Sequence, residues 1–216
     1  MLLAHRPHRA TFWYLAPDRL VAAVLARTSE EPLLEACAAS YAHGNGQCLF
    51  APGVVELSWV LGAERIPHVA ALSASLCSLR EDDAPAEAET ASVRVSGDGE
   101  LRVHARAQAV HQAQALFRRA RLHLMALDCE PCALRTLADV LGTGDDRNDG
   151  GRRVLAGAAA TAAPAITGVA AAARRHQPLA AVSIRPDAEK AAHALGEDLA
   201  VPVGLALAWF GADRAL

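Results

Sequence analysis

Residues 178–210 read PLAAVSIRPDAEKAAHALGEDLAVPVGLALAWF, and the fold class turns on how this stretch divides. Its outer pieces, Pro178–Arg185 and Ala200–Phe210, are short, apolar and partly β-branched. In the middle piece Ala188, Ala191, Ala192, Leu195 and Leu199 recur at spacings that line one helical face. Pro186 suits a first helical position, and Asp187 favours the positive end of the helix dipole. The spacing therefore predicts strand, helix, strand, and a crossover of this length returns the chain parallel and right-handed. In that reading Pro202 opens the last strand, where a missing ladder donor is tolerated, and Gly204 allows another backbone to come close. The expected fold class is α/β or α+β: a mixed β-sheet packed with alanine-rich helices, carrying a C-terminal β-α-β unit.

Composition supports a substantial core. Of 216 residues, 52% are hydrophobic but only 4% aromatic, so small side chains and close element packing are expected to dominate. The formal net charge is −3, and Lys190 is the only lysine among 21 basic residues. Charge is not clustered as phosphate binding requires, which disfavours nucleic acid as the partner. The N-terminus has no apolar stretch of signal-peptide length. The longest apolar run, Val154–Ala173, is rich in alanine and glycine and contains Pro164, so it reads as a buried helix rather than a membrane span. The expectation is a soluble, cytoplasmic bacterial protein with no membrane partner. Cys37, Cys48, Cys77, Cys129 and Cys132 make an odd count without the spacing of a secreted disulfide framework.

Along the chain, Thr11–Leu15 reads as a strand, while Asp18–Ala26 and the stretch from Pro32 to Tyr41 carry helix-like apolar spacing. Gln47–Phe50 is a strand candidate, and Val54–Leu61 fits either strand or helix. His68–Leu79 fits a helix with Val69, Leu72, Leu76 and Leu79 inward. An acidic, Pro/Ala-rich linker at 81–90 precedes the clearest local signal. Val93 and Val95, then Leu101 and Val103, alternate on either side of Gly97-Asp98-Gly99, predicting a central β-hairpin. Ala107–Leu127 reads as a long helix whose last residues also suit a strand, and another helix follows Cys132 as far as Leu141. The chain is expected to form a single globular domain, 1–216, divisible into subdomains 1–80 and 91–216 at the acidic linker.

Three stretches carry chemical potential. Cys129-Glu130-Pro131-Cys132 places two thiols at a helix start, where unpaired amides lower the pKa of the leading one. With Leu122–Leu127 as a feeding strand and Val201-Pro202 further on, the arrangement resembles a thioredoxin-like active site; Glu130 opposes a stabilised thiolate there. The same pair with His123 and Asp128 would give a metal two thiol ligands, without the second pair that structural zinc usually takes. Gly144 to Gly150 is similar to the Gly-Asp-x-x-Asn-Asp loop of haloacid-dehalogenase-type phosphatases, a resemblance that implies Mg²⁺ at Asp145 and Asp149. A flexible acidic connector explains that loop as well. His43-Gly44-Asn45-Gly46 offers backbone N–H groups to an anion, or simply caps a helix.

No nucleophile, base and orienting group converge in the sequence. The leading functional expectation is a non-catalytic accessory or assembly protein that binds another protein, a second copy of itself or a small ligand. The alternative is an enzyme, either a thiol-disulfide oxidoreductase at Cys129/Cys132 or a metal-dependent phosphoryl-handling enzyme at Asp145–Asp149. No metal site and no cofactor can be assigned. An enzyme should open Cys129 or Asp145 into a pocket, whereas an assembly protein should expose an apolar patch.

Overall fold

The computed structural model describes residues 7–41, 51–80, 91–94, 102–105, 107–141 and 177–211. Strands β1 (Arg9–Leu15), β2 (Arg19–Ala26) and β3 (Leu33–Tyr41) form an antiparallel meander. Helix α1 (Ala51–Val60) leads to β4 (His68–Leu72), which lies parallel to β1 on its other side. A 3₁₀ turn at Ala74–Leu76 leads into β5 (Cys77–Arg80), which joins β6 (Ala91–Arg94) and β7 (Arg102–Ala105) in a small separate sheet, order β5-β7-β6. Helix α2 (Ala107–Arg119) then leads to β8 (Leu124–Cys129), parallel to β4, and β8 runs directly into α3 (Glu130–Val140). After a 3₁₀ turn at Pro178–Ala181 come β9 (Ser183–Ile184), α4 (Glu189–Leu195), a further 3₁₀ turn at Gly196–Leu199 and α5 (Ala200–Gly211). The main sheet is six-stranded and mixed, in the order β8-β4-β1-β2-β3-β9.

Each central strand serves two cores. From β1, Phe12 and Tyr14 join Val21, Ala23 and Leu25 of β2 beneath α3 and α5. On the opposite face Trp13, Leu15, Leu20, Ala22 and Val24 pack under α1 and α2. Strands covered on both sides read as continuous apolar runs rather than as alternation. That is why Asp18–Ala26 looks helical in sequence although Arg19–Ala26 is a strand. Strand β3 misleads for a second reason. Its register against β2 shifts between Val24 and Leu25, leaving Glu35 unmatched, and this bulge breaks the two-residue period. His68–Leu79 is likewise corrected, from helix to strand, 3₁₀ turn and strand, its first five residues all buried in the sheet.

The expected C-terminal β-α-β unit is corrected as well. Ser183–Ile184 does pair in parallel with β3, and a helix does follow, but Ala200–Gly211 is a helix and not a strand. Its residues from Ala200 to Ala206 are all buried, so it shows no polar face, and an apolar run of this length is ambiguous by periodicity alone. Pro202 sits in the first turn, where helix N–H groups have no partner to lose. Gly204 meets the close backbone approach expected of it, though in a helix: a Cβ there would stand 2.1 Å from the carbonyl oxygen of Ala133 in α3. This contact seats α5 against α3. The segment Glu189–Gly211 is long and apolar enough to cross a bilayer, yet half of its most apolar window is buried within the fold, as in a core helix.

The central hairpin is present in its described parts. Strands β6 and β7 pair antiparallel with Val93 opposite Val103 and Arg94 opposite Arg102. The turn at Gly97–Gly99 lies outside the described residues, as do Gln47–Phe50, the linker 81–90 and Val154–Ala173. Val54–Leu61 resolves as helix, and the end of Ala107–Leu127 as strand.

Candidate functional site

The carboxyl ends of β1, β4 and β8 meet at one edge of the sheet, the place where open α/β sheets commonly hold ligands. Here a buried carboxylate occupies it. Glu130, the first residue of α3, is 3% exposed. Its Oε2 accepts from the Tyr14 hydroxyl at 2.9 Å, the Ser73 hydroxyl at 3.3 Å and the Ala74 backbone N–H at 2.8 Å. Tyr14 comes from β1, Ser73 and Ala74 follow β4, and Glu130 follows β8, so one oxygen ties three strand ends together. The N-terminus of α3 adds a favourable dipole. In sequence Glu130 stands out only as a charge opposing a thiolate at Cys129. Its visible signal was a carboxylate just after an apolar run, in the first helical turn.

Two thiols, Cys129 and Cys132, flank it in the sequence. Cys129 is fully buried and Cys132 half-buried, and both are free, as are Cys37 and Cys77. A hydrogen bond with the Cys77 thiol, together with burial, pushes the Cys129 thiol far above its ordinary range. Burial and the neighbouring Asp128 carboxylate do the same to Cys132. Burial also raises Asp128, against the pull of the Cys129 backbone N–H that it accepts at 2.6 Å. A redox nucleophile needs the opposite, a lowered pKa and an open path. Cys77, brought in by β5, is a third member of the cluster that spacing could not reveal. Among the described residues no group of three or more His, Cys, Asp and Glu side chains is arranged to hold a metal ion. Asp145, Asp149 and the stretch His43, Gly44, Asn45 and Gly46 lie outside the described residues.

At the other end of the parallel strands sits a second polar feature. His68, at the start of β4, is wholly buried, and its Nδ1 accepts from Trp13 Nε1 at 3.0 Å. Burial, then the charge of His123, lowers its pKa to about 4, so the ring is neutral near pH 7. Trp13 and Phe117 meet edge to face at 5.5 Å beside it. Phe117 also walls a groove of about 560 Å³ between the end of α2 and β8, with Arg118, Arg121, His123, Met125 and Leu127. Elsewhere on the surface Trp59 and Val60, ending α1, are 68% and 69% exposed.

An antiparallel meander flanked by three parallel strands, two on one side and one on the other, with helices on both faces, defines a mixed-sheet α/β protein. No protein-family model matches the chain, and no curated protein does. Among solved structures it is similar to a chain titled "PilM-PilN type IV pilus biogenesis complex". That match has a TM-score of 0.59 at 14% identity and covers 95% of this chain and 99% of the other. A second is the cytoplasmic domain of EpsL, described as an inner membrane component of the type II secretion system of Vibrio cholerae. Its TM-score is 0.44 at 13% identity, over 58% of this chain and 57% of that one. The first likeness establishes a shared fold.

Proposed function

We propose that this chain is a non-catalytic component of a bacterial envelope-assembly machine of the pilus-biogenesis kind, working from the cytoplasmic side by holding a protein partner. The observation that carries the reading is the near full-length fold likeness to a chain of a pilus biogenesis complex. Two features support it. The Glu130 hydrogen bonds gather at the strand ends, and burial with neighbouring groups raises the pKa of the thiols nearby. Trp59 and Val60 give α1 an exposed apolar end of the kind that marks protein contacts. A membrane-anchored partner suits such a role, so the expectation of no membrane partner is not carried forward. Deleting the gene in its native host is expected to abolish surface fibres or their retraction while growth continues, with the chain co-purifying with envelope components. Intact fibres and secretion in the deletion strain, or turnover by the purified protein, would count against it.

A further inference from the structure

We infer that the outer edge of β8 and the groove beneath α2 receive an extended peptide strand carrying acidic side chains. The inference rests on the partner-holding role above and names where and how the partner is held. Strand β8 ends the six-stranded sheet, and no strand among the described residues covers its outer side. An open edge presents unpaired backbone donors and acceptors to an incoming strand. Proteins commonly blunt such edges with lysine or proline, and the run Leu124-Met125-Ala126-Leu127 has neither.

The occupant follows from the lining. Arg118, Arg121 and His123 border the groove and no carboxylate does, although the chain as a whole carries net negative charge. Among the described residues neither Arg118 nor Arg121 forms an ion pair. Met125 is 42% exposed and Phe117 is among the residues lining the groove, so apolar side chains alternating with acidic ones would match both surfaces. The register of β8 against β4 slips at Met125, a bulge that shortens the regular edge. Only a few backbone bonds are therefore available, and the arginines must supply much of the affinity. A second copy of this chain fits less well, because its own β8 would bring the same basic groove towards this one.

The test uses the full chain and a capped octapeptide of alternating valine and glutamate. Two further versions are N-methylated on one or the other set of alternate amides, and a fourth has lysine for glutamate. The glutamate peptide is expected to bind at least tenfold more tightly than the lysine peptide, with slowed amide exchange confined to residues 124–127. One N-methylated version should lose at least tenfold while the other does not, since only one edge of an added strand faces β8. The folded double variant Arg118→Glu/Arg121→Glu should reverse the charge preference. Failure to bind, equal binding of the lysine peptide, or indifference to both N-methylations overturns the inference. So does a dimer, seen by sedimentation, that protects the same amides without peptide. Each of those results leaves the assembly role standing, because that role is read from fibres and envelope co-purification rather than from this groove.

Discussion

At the scale of single residues, two buried polar groups make opposite commitments. Glu130 gathers three donors on one oxygen, so Glu130→Ala removes the acceptor that Tyr14, Ser73 and the Ala74 N–H share in an enclosed site. Breaking a buried hydrogen-bond network of this kind costs about 3 kcal/mol or more. Urea unfolding should show that loss as a lowered midpoint with an unchanged slope; a shift below about 1 kcal/mol, ordinary for a surface change, would contradict the clasp. His68 is instead stabilising only while neutral. Its folded pKa of about 4 lies below the ordinary 6.5, so between those values the unfolded chain binds the additional proton. Its contribution is complete above about pH 6.5 and is lost as pH falls towards 4, a change of roughly 3 kcal/mol by linkage. Stability measured from pH 4 to 7 should rise more steeply in the wild-type protein than in His68→Gln, and parallel curves would refute the buried neutral ring.

At the scale of elements, the junction of α3 and α5 makes the sharpest claim. Gly204→Ala drives a methyl group into the Ala133 carbonyl, and neither backbone can give way without moving a whole helix. It should cost about 3 kcal/mol or more, as overpacking at a rigid contact does. Gly211→Ala, with nothing within 4 Å of the added carbon, should be near neutral; equal effects in thermal melts would mean the helices are not so seated. What the sequence disclosed of these elements follows from burial. Thr11–Leu15 was legible because Pro17 and its aromatic residues punctuate it, and the central hairpin because Val93 and Val103 sit in a clean two-residue alternation. Strands β2 and β4 were not, since both faces are covered and alternation vanishes. The same masking made α5 look like a strand. The clasp was half legible: Glu130 stood in plain view, but Tyr14 and Ser73 reach it across 116 and 57 positions of chain, which no local pattern records.

At the scale of the whole molecule, the question is whether the two cores stand or fall together. Adjacent residues of β1 point to opposite sides, Phe12 and Tyr14 into one core, Trp13 and Leu15 into the other. Neither core retains a wall if the shared sheet is lost, which argues for one cooperative unit among these elements. Two cysteines report on the two sides. Cys37 of β3 lies in the core beneath α3 and α5, its thiol pushed up to about 11 by burial, and Cys129 of β8 lies in the core beneath α1 and α2. Buried thiols react only when the structure opens, so alkylation rates, divided by those of the unfolded chain, measure the opening free energy at each site. The two protection values, read by peptide mass spectrometry, are expected to agree within about 1 kcal/mol and to approach the global unfolding free energy. Labelling of Cys129 a hundredfold faster than Cys37 would show that β8 and its helices detach first. In that case the outer edge of the sheet would be a separately opening element rather than a fixed shelf for a partner strand.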